Sequence, residues 1–109
     1  MDIDKETQEK IRELQSFEQT LHSLLLQKQA FQMELNETEN ALSEISKTKG
    51  DIFKMVGSIM IKTDKDSVEK NLNRKKELLT IRLKSIENQE KNLESDSEKL
   101  KEEVMKKLK

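Results

Sequence analysis

The 109-residue chain contains no cysteine, proline, tryptophan or tyrosine, only two glycines, and only three phenylalanines. Without cysteine there is no disulfide, no iron–sulfur cluster and no thiolate zinc site. Without proline, the two glycines are the only strong breakers of regular structure. Apolar residues are scarce as well, at 32% of the chain, where a compact globule uses about 45–50%. An ordered fold must therefore bury one narrow apolar stripe, or complete its core with other chains. Nor is there an excess of one charge. Twenty-one basic residues stand against 22 acidic ones, a formal net charge of -1, so the totals lack the basic excess of a nucleic-acid binder. No apolar run approaches the ~20 residues that cross a bilayer. The opening Met1-Asp2-Ile3-Asp4-Lys5-Glu6 is polar and acidic, unlike a secretory leader. These exclusions allow a reduced compartment without proving it; the expectation is a cytoplasmic protein with no membrane or nucleic-acid partner.

What the chain does have is charge (39% Asp, Glu, Lys and Arg) and strong helix formers in two flanks around a short central segment. Stepping alternately by three and four through the first flank gives Leu14, Phe17, Leu21, Leu24, Lys28, Phe31, Leu35, Thr38, Leu42 and Ile45. Eight of those ten sites are apolar, which makes an a/d seam that must be buried against another helix. A helix over 5–49 is predicted, with Lys47 and Lys49 in its last turn and Gly50 as its C-terminal cap. The second flank repeats Leu72, Leu79, Ile86, Leu93 and Leu100 every seven residues, interleaved with Lys76, Leu83, Glu90, Ser97 and Val104. Its seam is leakier, with seven apolar sites of ten. A helix over 66–108 is predicted, opened by Asp66 and Glu69 at capping-box spacing. Folded back on each other, the two helices allow two registers. One sets Leu42 against Leu72 and Leu14 against Leu100; the other sets Leu42 against Leu79 and Leu21 against Leu100. The first is centred on Gly57 and is preferred.

The centre, residues 52–62, reads as a β-hairpin. Ile52–Val56 and Ile59–Lys62 are rich in strand-forming residues, and Gly57-Ser58 between them suits a II′ turn. The strands are apolar at successive positions, so both faces need cover, and an isolated two-stranded hairpin is marginal in water. Its edges are also open to pairing. Ile52, Phe53, Met55, Val56, Gly57, Ile59, Met60 and Ile61 are therefore candidate assembly residues, through which hairpins of several chains close a shared barrel. The predicted fold is mainly α: a long antiparallel two-helix coiled coil with a central β-hairpin that joins an intersubunit β-barrel, all in one domain.

Nothing in the sequence supports catalysis. The single His22 has no histidine or cysteine partner, the carboxylates are as dense as the composition requires, and no glycine-rich phosphate loop exists. No cofactor or metal is expected. The cluster Arg74-Lys75-Lys76 is short, acid-flanked and free of aromatics; the tail Lys106-Lys107-Leu108-Lys109 suits a helix C-terminus. The far ends of the coil carry more apolar side chains than a tidy seam can hide. Glu90 and Ser97 interrupt helix two, while Ile11, Leu25 and Leu26 fall outside the a/d sites. Such groups on a charged scaffold make an adaptable binding surface. The candidates are Ile11, Leu14, Phe17 and Leu21 from the first helix, with Leu93, Leu100, Val104, Met105 and Leu108 from the second.

The order helix, hairpin, helix, together with particular residues, resembles the β-class prefoldin subunits of archaeal type. The matching residues are Glu37-x-x-x-Ala41-Leu42-x-Glu44-Ile45, then Phe53-Lys54-Met55-Val56-Gly57-x-Ile59-Met60-Ile61-Lys62, then Leu72, Arg82-Leu83 and Gln89-Glu90-x-x-Leu93. The resemblance spans residues 8 to 108 and is most specific from Phe53 to Lys62. Family members often carry tyrosine where Phe53 stands, with a proline shortly before it; here Gly50-Asp51 fills that place. The resemblance implies a hexamer of two α and four β subunits, with hairpins forming a double β-barrel body and coiled coils projecting from it. It also implies an ATP-independent holdase that grips non-native proteins with the distal coil and passes them to a group II chaperonin. Residues alone leave open a second class, a coiled-coil adaptor with no affinity for unfolded chains.

Overall fold

A computed structural model describes residues 3–108 of the chain. The elements run α1 (Lys5–Lys47), β1 (Ile52–Val56), β2 (Ile59–Thr63) and α2 (Lys65–Leu108). Met1, Asp2 and Lys109 lie outside the described residues, and with them the start of the polar N-terminal run and the last lysine of the basic tail.

The helices form where predicted, but their ends are set by other residues. Asp4 caps α1: its Oδ1 accepts the Thr7 backbone N–H at 2.6 Å, and its carbonyl accepts the Gln8 N–H at 3.0 Å. The first bond satisfies an amide that the first turn leaves without a partner, and the second is the first bond of the helix ladder. At the other end, α1 stops at Lys47, short of the predicted residue 49. Thr48 closes it, donating its hydroxyl to the Glu44 carbonyl at 2.8 Å and its N–H to the Ile45 carbonyl at 3.1 Å. The only positive φ among the described residues belongs to Gly57, so Gly50 does not adopt the left-handed cap conformation expected of it. The capping residue of α2 also shifts. Asp64 Oδ2 accepts the Ser67 N–H at 3.3 Å and the Asp64 carbonyl accepts the Val68 N–H at 3.1 Å, so the helix begins at Lys65 and Asp66 lies inside its first turn. The predicted Asp66–Glu69 capping box is not what starts α2.

The hairpin pairs β1 and β2 antiparallel, with Ile52 opposite Thr63, Phe53 opposite Lys62, Lys54 opposite Ile61, Met55 opposite Met60 and Val56 opposite Ile59. The second strand runs one residue past the predicted Lys62. Gly57 has φ 64° and Ser58 a negative φ, the combination a II′ turn requires at its two central positions.

By contact density the chain divides into two units. One is Ala30–Leu83; the other comprises the described parts of Met1–Gln29 and Lys84–Lys109. In the first, Leu35, Leu79 and Leu83 are buried against one another with Phe31 packed on them. The Arg82 guanidinium stands 5.7 Å from the centre of the Phe31 ring, within cation–π range. Thr38, a polar seam site, is buried and turns its hydroxyl back to the Glu34 carbonyl at 2.8 Å. Leu35 against Leu79 is the contact demanded by the register that faces Leu42 with Leu72; the alternative would face Leu35 with Ile86. The preferred register is the one found. In the second unit Leu24, Ile86 and Val104 are buried. Lys28 Nζ and Glu90 Oε1, both at seam positions, meet at 3.1 Å. Lys10 pairs there with Glu103 at 3.2 Å. In both units the helices run side by side in opposite directions.

Candidate functional surfaces

Two surfaces follow from this arrangement: the hairpin, and the helix ends that carry residues 3–29 and 84–108.

The pairing of the hairpin decides which of its side chains share a face, because directly opposed residues project to the same side of a sheet. Ile52, Lys54 and Val56 lie on one side with Thr63, Ile61 and Ile59; Phe53 and Met55 lie on the other with Lys62 and Met60. Only Ile52 and Thr63, at the base, are half-covered. They border a hollow of about 370 Å³ also lined by Ile45, Phe53, Val68 and Leu72, where the hairpin meets the ends of the helices. Beyond it every predicted assembly residue is exposed, from 49% at Ile61 to 68% at Met55. Apolar side chains therefore face solvent on both sides of the hairpin. A monomeric soluble protein rarely leaves such a contiguous patch bare, and such patches mark interaction sites. Two lysines sit within it. Lys62 reaches Asp51 at 3.6 Å, an exposed pair of small energetic weight.

The helix-end residues are less uniform than the sequence suggested. Phe17 and Leu100 are brought together in a shallow hollow of about 300 Å³ rimmed by Glu13, Asp96, Lys99 and Glu103. Leu14, Leu21 and Leu93 are half-buried in the seam, and Ile11, outside the a/d sites, is half-buried as well. Val104 is buried, at 6% exposure, and so is not available at the surface while the helices are paired. Met105 and Leu108 are exposed as they stand. The expectation that Glu90 loosens the coil needs correction. Its carboxylate is largely covered and holds the Lys28 ammonium, so the two polar seam residues satisfy one another. Exposed apolar residues that the heptad reading did not single out are Met33, Leu78 and Ile81. They fall on helix positions away from the a/d sites, and the only signal for them was a large apolar residue outside the seam.

Polar contacts hold the first turn of α1. Hydrogen bonds from the Thr7 side chain and then from its backbone N–H keep the Asp4 carboxyl below its ordinary pKa, with Lys107 and Lys10 adding to the effect. The hydrogen bond to Glu103 raises the Lys10 pKa, and the Glu6 carboxylate at 3.6 Å works in the same direction. None of this arrangement resembles a catalytic site. No group of three or more His, Cys, Asp or Glu able to hold a metal occurs among the described residues. His22 is exposed on one helix face beside Gln15, Glu18 and Gln19. Among the described residues no helix is long and apolar enough to cross a membrane.

The sequence profile described as "Prefoldin subunit" matches residues 8–109 of the chain. The chain belongs to the prefoldin family. It is 40% identical to the prefoldin subunit beta of Thermococcus kodakarensis over 102 residues, covering 92% of this chain and 85% of that one. To the prefoldin subunit beta of Pyrobaculum calidifontis it is 42% identical over 90 residues, covering 81% and 72%. The crystal structure of the prefoldin beta subunit from Thermococcus strain KS-1 superposes with a TM-score of 0.88 at 34% identity, covering 96% of this chain and 94% of that one. The two-helix coil with its central hairpin is thus a prefoldin fold, and the chain is a prefoldin chaperone subunit. The resemblance read from Phe53 to Lys62 is borne out at the level of family and fold.

Proposed function

We propose that the chain is an ATP-independent holdase subunit. Its hairpin joins those of an α-class subunit and other β subunits in a two-α, four-β hexamer, and its helix ends grip non-native proteins for delivery to a group II chaperonin. One observation carries this reading: in a chain of the prefoldin family, the midpoint hairpin presents apolar side chains on both faces at 49–68% exposure. A barrel shared between subunits would cover them. The assembly residues are Ile52, Phe53, Met55, Val56, Gly57, Ile59, Met60 and Ile61. Client contact falls first to Met105, Leu108 and the Phe17–Leu100 hollow. Ile11, Leu14, Leu21, Leu93 and Val104 join when the helix ends part.

Burying one large apolar side chain contributes at most ~1.5–3 kcal/mol, so a single contact is weak. Several arms acting together gain from effective concentration. Weak contacts also release a client readily. The site is in the cytoplasm on this reading, and no cofactor enters.

Removing residues 1–16 and 99–109 takes away Ile11, Leu14, Leu100, Val104, Met105 and Leu108 and leaves the hairpin intact. The truncated chain should enter particles of the same mass class, measured by light scattering, yet fail to suppress aggregation of a denatured client protein. Undiminished suppression would refute the helix-end assignment. Failure of the full chain to suppress aggregation in any assembly would favour the adaptor reading instead.

A further inference from the structure

The hairpin places two methionines directly opposite one another. Met55 pairs with Met60 across the strands, next to the Phe53–Lys62 pair on the same face. Opposed Cβ atoms in an antiparallel pair lie about 4.5–5.5 Å apart, so the two thioethers form one patch. Both are open, at 68% and 64% exposure. The unbranched thioether is a soft, adaptable apolar group well suited to filling an interface between chains. In a chain without cysteine it is also the side chain that mild oxidants convert most easily into a polar one.

We propose that Met55 and Met60 form a peroxide-sensitive modification site that governs assembly of the chain. The inference rests on the reading of the hairpin as the assembly surface. In the reaction a sulfur lone pair attacks one oxygen of hydrogen peroxide. The O–O bond breaks as the S–O bond forms, and the remaining oxygen leaves as water after proton transfer. Sulfur loses two electrons and the peroxide gains them, so no further reactant is needed. The resulting sulfoxide is a strong hydrogen-bond acceptor that must lose its water when a neighbouring subunit covers the face. Two opposed sulfoxides place two such groups at the centre of the surface. Oxidation therefore weakens joining, while assembly shields the thioethers. Met33 and Met105 serve as internal controls, since both are exposed and both lie on helices.

The test uses the full chain with hydrogen peroxide as probe and peptide mass spectrometry as readout. In the dilute, unassembled chain Met55, Met60, Met33 and Met105 should oxidise at comparable rates. Once the chain is assembled with an α-class prefoldin subunit, Met55 and Met60 should be protected relative to Met33. Oxidised chain should need roughly tenfold more protein to reach half-assembly, and methionine sulfoxide reductases should reverse this. The Met55→Leu/Met60→Leu chain should assemble equally before and after peroxide, whereas Met33→Leu should leave the sensitivity intact. An unchanged assembly midpoint after complete oxidation of Met55 and Met60, with Ile59→Lys/Ile61→Lys abolishing assembly, would overturn the oxidation site alone. If the double lysine variant still assembles, the hairpin reading fails and takes the site with it.

Discussion

At the scale of single residues, the two glycines have opposite roles despite their closeness in sequence. Gly57 holds φ 64°, a left-handed conformation that a Cβ makes costly by about 1–2 kcal/mol. Gly50 has an ordinary φ and open space within 4 Å of where a Cβ would stand. Gly57→Ala should therefore destabilise the hairpin and weaken assembly, with Asn at the same position milder because it tolerates the left-handed region. Gly50→Ala should be neutral or stabilising by up to ~1 kcal/mol, through the unfolded chain's lost freedom. Thermal melts of the assembled protein check both. Asp4 offers a second residue-scale expectation. Its pKa is depressed in the folded chain by the Thr7 hydrogen bonds. Its contribution to the helix start is therefore fully present above the unfolded carboxyl pKa, about 3.8, and is lost as pH falls through the lower folded value. The protection of the Thr7 and Gln8 amides, taken relative to their intrinsic exchange at each pH, should fall on acidification across that window. Asp4→Asn keeps a capping oxygen without a titrating charge, so its first turn should lose this acid dependence.

Among the elements, the seam shows how far sequence pattern reaches and where it stops. The a/d spacing gave both helices but left two registers open, and the packing of Leu35 on Leu79 selects between them. The hairpin and its turn were equally legible, because Gly57-Ser58 and two β-branched runs admit few alternatives. Helix termini were not, because capping depends on a side-chain oxygen meeting a particular amide. Asp64 and Asp66 are chemically equal candidates, and only backbone geometry selects Asp64. Glu90 misled for a related reason. A carboxylate at a core site reads as a defect until its partner is known, and Lys28 lies 62 residues away in sequence. The partnership makes a prediction. Glu90→Ala leaves a half-covered ammonium unmatched and should cost about 1 kcal/mol or less, as Lys28 is 38% exposed. Leu79→Ala, at 3% exposure in the Leu35–Leu83 cluster, should cost about 2–3 kcal/mol, the low end of the usual range because a thin core relaxes easily. Replacing Lys28 and Glu90 together with Leu should raise stability yet weaken the choice between registers. Circular-dichroism melts would rank the three, and cysteine cross-linking between introduced pairs would report the register.

For the whole molecule the decisive quantity is apolar surface that no part of the chain covers. The described residues bury only six large apolar side chains below about a tenth of their area: Leu24, Leu35, Leu79, Leu83, Ile86 and Val104. More large apolar residues than that are exposed, and six of these belong to the hairpin. A chain so constituted gains stability from whatever binds its folded form, by mass action. Its melting temperature should therefore rise with protein concentration, and rise further with an α-class partner in excess. Ile59→Lys/Ile61→Lys places two charges on one face of the hairpin. Burying an unpaired charge is prohibitive, so this variant should remain small by light scattering and keep most of its helical signal, since the α1–α2 seam is untouched. Its melting temperature should no longer depend on concentration. A concentration-independent melt in the unmodified chain, with the hairpin amides protected from exchange in a monomer, would mean that the exposed strands are stable unaided and that the hairpin is not an unfinished assembly surface.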